Sequence, residues 1–289
     1  MRMALAVLLA IGAAGCQSNG SDPPVATVSL TPSRTRVPIG SPLDLTYTFE
    51  PRAPIDGNYR VFVHVLDEDG HQMPWTEDHD PAIPTSQWKV GERVQYTRTL
   101  FVPMYPYVGE ATVRVGLYRD SGRLPLDGPD QADKGETARA YKVATLQLLP
   151  STENVFLQYK SGWHPAEFAD DQPLRPWQWT RKTAVLSFRN PRRDVRLYLE
   201  YDSRKDLFAD KPQEVTVAVK GQPVATFSAS NAQAELRRID IAAAQLGTDD
   251  LTELSIDVDR PFVPAVVIPG ARDTRELGIR VYHVFVEPR

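Results

Sequence analysis

Residues 70–81, GHQMPWTEDHDP, bring His71, Asp78, His79 and Asp80 within twelve positions, residue types that can ligate a metal. Zinc sites need ligands at set helical or hairpin spacings, such as H-E-x-x-H, and that spacing is absent here. The preceding Asp67, Glu68, Asp69 and Gly70 lack the twelve-residue ligand pattern of a calcium loop. They read instead as an acidic tight turn, where Asp and Gly suit the backbone geometry. The expectation is therefore no metal and no cofactor. A long proline-punctuated loop should fold back on a sheet, with Trp75 or Trp88 packing over its edge and His79 and Asp80 bonding local backbone. His64 lies in an alternating stretch and reads as a core or sheet-face histidine rather than a base.

A second group is aromatic. Trp177 and Trp179 are two positions apart and share a face if the chain is extended. Flat indoles can stack on the apolar faces of sugar rings while neighbouring acids or amides hold hydroxyls. Trp163, His164 and Glu167 in SGWHPAEF would join this candidate glycan-stacking patch if their loop folds against it. The competing expectation is core packing, because indoles are large and usually buried. In ARDTRELG, Arg272, Asp273, Arg275 and Glu276 read as a surface ion-pair network, and PFVPA as a stiff packing segment with Pro261 and Pro264 around Phe262 and Val263.

No G-x-S-x-G elbow, P-loop or glycine-rich dinucleotide turn is present, so no catalytic residue is assigned and the chain is read as a non-enzyme. A glycan-active hydrolase stays as an alternative, since two carboxylates suffice for that chemistry and the 37 acidic residues make their presence uninformative. The formal charge of −4, with Lys and Arg dispersed among acids, offers no phosphate-neutralising surface and argues against nucleic acid as a partner.

The elements that must position these residues repeat with period two. VATVSLTP, PLDLTYTFE, YRVFVHVLD, RVQYTRTLF, ATVRVGLYR and YKVATLQLL fall before Pro150, separated by proline- and glycine-bearing turns. They predict an immunoglobulin-like sandwich over 25–150, without the disulfide, because the chain has one cysteine. NVFLQYK, WQWTRKTAVLSF, DVRLYLEYD, EVTVAVKG, PVATFSAS, LRRIDIA, LTELSIDVD and ELGIRVYHVFVE follow, and predict a jelly-roll-like sandwich over 151–289. Lys220, Gly221 and Gln222 should turn a hairpin, and AAAQLG a short helix capped by Gly247. The fold class is thus all-β, two tandem β-sandwiches.

Arg2, the apolar run Met3–Ile11 and the small residues Ala13, Ala14 and Gly15 lead directly to Cys16. The run is too short to span a bilayer, which needs about 20 apolar residues, and reads as a signal peptide over 1–15. Ala-Ala-Gly-Cys resembles the bacterial lipobox, with Ala13 where Leu is usual. The resemblance implies cleavage before Cys16 and acylation of its sulfur. Two or three acyl chains, at about 0.8 kcal/mol per buried methylene, would anchor the protein stably. Residues 16–24 then form the lipidated cysteine and a polar tether. Gln17, where an Asp would resemble the inner-membrane retention signal, points to the outer membrane of a bacterial envelope.

The stretch YRVFVHVLDEDGHQMPWTEDHDPAIPTSQWKVGE and the later VGLYRDSGRLPL resemble a β-sandwich appended to bacterial membrane glycosyltransferases and related envelope proteins. GWHPAE, W-x-W-T, VAVKGQPVATF, PFVPA and DTRELGIRV resemble a second β-domain of similar chains. The likeness spans most of residues 40–289 and implies accessory β-modules; no multi-span region or nucleotide-sugar-binding domain accompanies them, so transferase activity is not implied. The resulting expectation is a lipid-anchored, non-catalytic binding or accessory module for glycan or surface polysaccharide. The alternative is a structural lipoprotein that engages an envelope protein partner through a sheet face or edge.

Overall fold

The computed structural model describes residues 22–120, 122–129, 138–169 and 172–289. The expected signal peptide at 1–15, the expected lipidation site Cys16 and the expected tether as far as residue 21 lie outside the described residues.

The first ten strands are β1 (Ala26–Pro32), β2 (Arg36–Pro38), β3 (Pro42–Pro51), β4 (Arg60–Leu66), β5 (Gln72–Thr76), β6 (Val94–Phe101), β7 (Gly109–Arg119), β8 (Gly122–Arg123), β9 (Leu126–Asp127) and β10 (Tyr141–Leu149). One sheet has the order β6-β3-β1-β9 and the other β2-β10-β7-β4-β5, with β8 on β7. β2 runs parallel to β10, while each neighbouring pair along β10, β7, β4 and β5 is antiparallel. This is the immunoglobulin strand order, with β8 and β9 inserted before the last strand. Alternation decides the layers: Leu43, Leu45, Tyr47 and Phe49 of β3 and Val113, Val115 and Leu117 of β7 all enter one core. Each large apolar side chain buried there contributes roughly 1.5–3 kcal/mol. These side chains make up the interior of an immunoglobulin-type fold that has no disulfide. Gly116 lies opposite Phe62, and a Cβ there would stand 2.4 Å from the Phe62 ring.

The second series is β11 (Leu157–Tyr159), β12 (Glu167–Ala169), β13 (Gln172–Trp179), β14 (Thr183–Arg189), β15 (Val195–Asp202), β16 (Gln213–Val219), β17 (Gln222–Ala229), β18 (Glu235–Ile241), β19 (Leu251–Val258) and β20 (Arg280–Pro288). One sheet runs β11-β14-β19-β16-β17 and the other β12-β13-β20-β15-β18. Taking β13 to β20 as eight consecutive strands, the order is that of a jelly roll. Both halves are all-β sandwiches, and the two four-residue helices, Ala243–Leu246 and Pro264–Val267, are local.

Several local expectations need correction. WQWTRKTAVLSF is two strands, because the chain leaves one sheet after Trp179 and enters the other at Thr183, as a jelly roll requires. The last strand starts at Arg280, since Phe262 and Leu277 pair with each other upstream of it. Gln222 pairs with Val219, so the hairpin turn is Lys220 and Gly221 alone, both at positive φ (51° and 78°). Residues 67–88 are not one loop: Gln72–Thr76 pairs with β4 as β5, and a 3-10 turn forms at Thr85–Gln87.

The sandwiches meet where β3 and β6 approach the outer face of the β15–β20–β18 sheet. Phe101 stacks on His283 with centroids 4.2 Å apart and planes at 6°. Arg34 pairs with Glu287 at 2.8 Å, and Arg238 reaches Asp44 at 3.2 Å.

Candidate functional site

The histidine-rich stretch resolves into packing. His79 is 5% exposed, its ring edge-on to Tyr47 with centroids 5.0 Å apart. Nδ1–H donates to the Glu77 carbonyl at 2.7 Å, because a carbonyl only accepts, and so Nε2 accepts from the Tyr96 hydroxyl at 2.9 Å. Burial, with the Arg98 charge adding to it and the Glu77 carbonyl opposing, lowers the His79 pKa to about 4. His71 faces solvent beside Asp67, and Asp80 faces Arg60 at 3.6 Å rather than bonding backbone. No group of three metal-ligating side chains converges among the described residues. Trp75 and Trp88 are both buried, and Trp88 packs on Phe49 at 5.0 Å with its Nε1–H on the Ile83 carbonyl. His64 packs against Phe62 at 4.8 Å on the sheet face.

The aromatic group divides. Trp177 and Trp179 project from the same face of β13, and the Arg280 guanidinium lies over both rings at 5.2 and 5.6 Å. Phe262 meets the Trp179 indole edge-on at 5.8 Å, and with Leu277 they form a small core against which Leu207, Phe208 and the half-buried Trp177 pack. Trp179, 7% exposed, therefore has no face to offer a ligand. His164 is also buried, donating from Nε2 to the Glu276 carbonyl at 2.8 Å while its backbone N–H bonds the Trp179 carbonyl. It positions the wall instead of lining it. Trp163 lies elsewhere: its Nε1–H donates to the Val185 carbonyl at 2.8 Å and its ring meets Tyr159 at 4.6 Å, holding it over the main core of this sandwich. Glu167 pairs across to Trp177 in the β12–β13 ladder, and its carboxylate accepts from Arg275 at 2.6 Å. Arg275 also forks onto Asp273, whose carboxyl is drawn down to about 2 chiefly by that hydrogen bond. The ion-pair reading of 271–278 is thus partly realised, through Asp273 and Arg275.

Trp177 remains half-buried on the wall of a groove of about 440 Å³, between the open part of this sheet and residues 232–234. Arg175, Trp177, Asp202, Gln233, Arg280 and Tyr282 line it. The Arg175 guanidinium sits over the Tyr282 ring at 4.5 Å. Beneath these groups lie two carboxylates. Arg280 donates to both Asp202 oxygens at 2.8 and 2.5 Å, and the Tyr282 hydroxyl adds a third bond at 2.8 Å. Burial first, and then this bond, pushes the Tyr282 hydroxyl up to about 12, so it stays a donor. Glu200 accepts from Arg175 and from His283 Nδ1–H, each at 2.6 Å. Burial would raise its carboxyl; these two partners outweigh burial and hold it below the ordinary range. The Trp177 Nε1–H, itself out of solvent, has no acceptor among the described residues. Of the lining side chains, Arg175, Asp202, Gln233, Arg280 and Tyr282 were missed by pattern-reading; for Arg175, Arg280 and Tyr282, R-x-W-x-W followed by R-V-Y in the partner strand was the available signal, because period-two positions on neighbouring strands share a face.

No family model matches the chain, and no curated protein matches it. Among solved structures it is similar to the Bacteroides uniformis β-glucuronidase, with 10% identity over 93% of this chain and 30% of that one at a TM-score of 0.28. A family GH115 4-O-methyl-α-glucuronidase with specificity for decorated arabinogalactans is 11% identical over 53% of this chain and 20% of that one, TM-score 0.31. The CARDB domain of a Pyrococcus furiosus protein, in complex with di-metal ions, is 12% identical over 44% and 89%, TM-score 0.27. This chain spans less than a third of the length of either glucuronidase, and likenesses at these scores decide nothing about its chemistry.

Proposed function

We propose that this chain is a lipid-anchored protein of the bacterial cell envelope, held at the outer membrane through acyl chains on Cys16, and that it is a non-catalytic binding module for glycan or surface polysaccharide. The observation that carries the binding reading is the groove: a half-exposed indole and a phenol, fixed by two guanidinium groups, beside hydrogen-bonding side chains. Such a surface joins an apolar stacking plane to fixed polar groups, which is what a sugar ring offers in reverse. The anchoring reading rests on the lipobox-like residues before Cys16. No helix among the described residues is long and apolar enough to cross a membrane.

Affinity electrophoresis through gels holding a panel of neutral and acidic polysaccharides tests the binding reading. The native chain should be retarded by at least one polymer, and Trp177→Ala should lose at least tenfold in affinity with only a small fall in melting temperature. Retardation that survives Trp177→Ala, or none on any polymer, refutes the assignment. Fractionation of cells tests the anchor: the native protein should need detergent for release, whereas Cys16→Ala should not sediment with membranes.

A further inference from the structure

We propose that the groove takes a carboxylate-bearing sugar, so that the ligand is an acidic polysaccharide built on uronate units. This rests on the glycan-binding reading above and specifies its ligand.

The inference follows from which partner of each ion pair faces outward. The Arg175 and Arg280 side chains are 42% and 27% exposed, whereas their carboxylate partners Glu200 and Asp202 are 17% and 2% exposed. Both pairs therefore stand with the anion beneath and the cation at the surface. The acceptors are also consumed: Asp202 takes two bonds from Arg280 and one from Tyr282, and Glu200 takes Arg175 and His283. The donors are not. Arg175 uses only Nη2 and Arg280 only Nε and Nη2 in the hydrogen bonds among the described residues, which leaves Nη1 of each and Nε of Arg175. A neutral sugar needs acceptors for its hydroxyl protons as well as donors. Among the described residues this wall is richer in free donors than in free carboxylate acceptors, and the complementary ligand group is an anion with two parallel oxygens, which a guanidinium edge binds bidentately. Trp177 and Tyr282 supply the flat apolar surface for the ring that carries it.

The test uses the full chain in detergent, with polygalacturonate and alginate compared against the same polymers after carboxyl reduction. At least one polyuronate should bind tenfold or more tightly than its reduced form, in line with the loss of a charge-assisted hydrogen bond. Rising salt should weaken the polyuronate preferentially. Arg175→Gln should bring acidic and reduced polymers to within about threefold of each other, with the fold intact because His283 still pairs Glu200. Equal binding of acidic and reduced polymers, or binding of neutral polymers alone, overturns the uronate inference and leaves glycan binding standing. Failure of every polysaccharide overturns both. Dextran sulfate bound as tightly as the polyuronates and indifferent to Trp177→Ala would mean polyanion adsorption, and would also overturn it.

Discussion

Acidification should destabilise the first sandwich through His79. The ring is neutral in the fold, with Nδ1–H on a carbonyl and Nε2 accepting from Tyr96, so a proton on Nε2 places a charge inside the core and requires the Tyr96 hydroxyl to turn from donor to acceptor. An unfolded histidine takes up its proton near 6.5, whereas the folded one does so near 4. The folded pKa is depressed, so between those values the unfolded chain binds more protons and stability falls as pH falls. The contribution is complete above pH 6.5, is lost through the window down to pH 4, and changes no further below it. At about 1.4 kcal/mol per pH unit the gap amounts to about 3 kcal/mol, a large part of the 5–15 kcal/mol of an ordinary domain. Urea unfolding of native protein and His79→Gln at pH 7, 5.5 and 4 should show the native form losing about 3 kcal/mol more than the variant. In an NMR titration the histidine Cε1–H signal that is absent in His79→Gln should stay unprotonated until about pH 4. Parallel losses in both proteins, or a His79 signal titrating near 6.5, would refute the reasoning.

Three further perturbations separate packing from binding. Trp179→Ala should cost about 3–5 kcal/mol in thermal or urea unfolding, because it empties a core site beneath Phe262 and Leu277, in contrast to the small effect at Trp177. Arg280→Ala should cost a similar amount, about 3–5 kcal/mol, by leaving the buried Asp202 carboxylate without its cation, and Arg280→Ala with Asp202→Asn should recover part of it. Gly162→Ala should destabilise by more than 1 kcal/mol, because φ is 79° and the new Cβ would stand 1.9 Å from the Thr183 carbonyl oxygen.

Alternation of apolar and polar residues made the strands legible: PLDLTYTFE and DVRLYLEYD each place one set of side chains in a core and the other outside. Short edge elements escaped, because Arg36–Pro38 and Gly122–Arg123 hold too few residues to show a period. The strand break after Trp179 escaped as well, since the pattern continues through it while the chain changes sheets. For the site, the shared face of Trp177 and Trp179 was readable from spacing. Which indole stays open was not, for it is decided by Phe262 and Leu277, about a hundred positions away in sequence. Trp163 was grouped with them by proximity along the chain, yet Gly162 turns the backbone and its indole bonds Val185. Arg175 and Arg280 showed in the sequence only as period-two neighbours of Trp177 and Tyr282; their meaning comes from the carboxylates beneath them.

Glu200 has two clients. One oxygen holds Arg175 at the mouth of the groove, and the other holds His283, whose ring is the seat on which Phe101 of the neighbouring sandwich rests. A substitution at Glu200 would therefore disturb the mouth of the groove and the contact between the two sandwiches together.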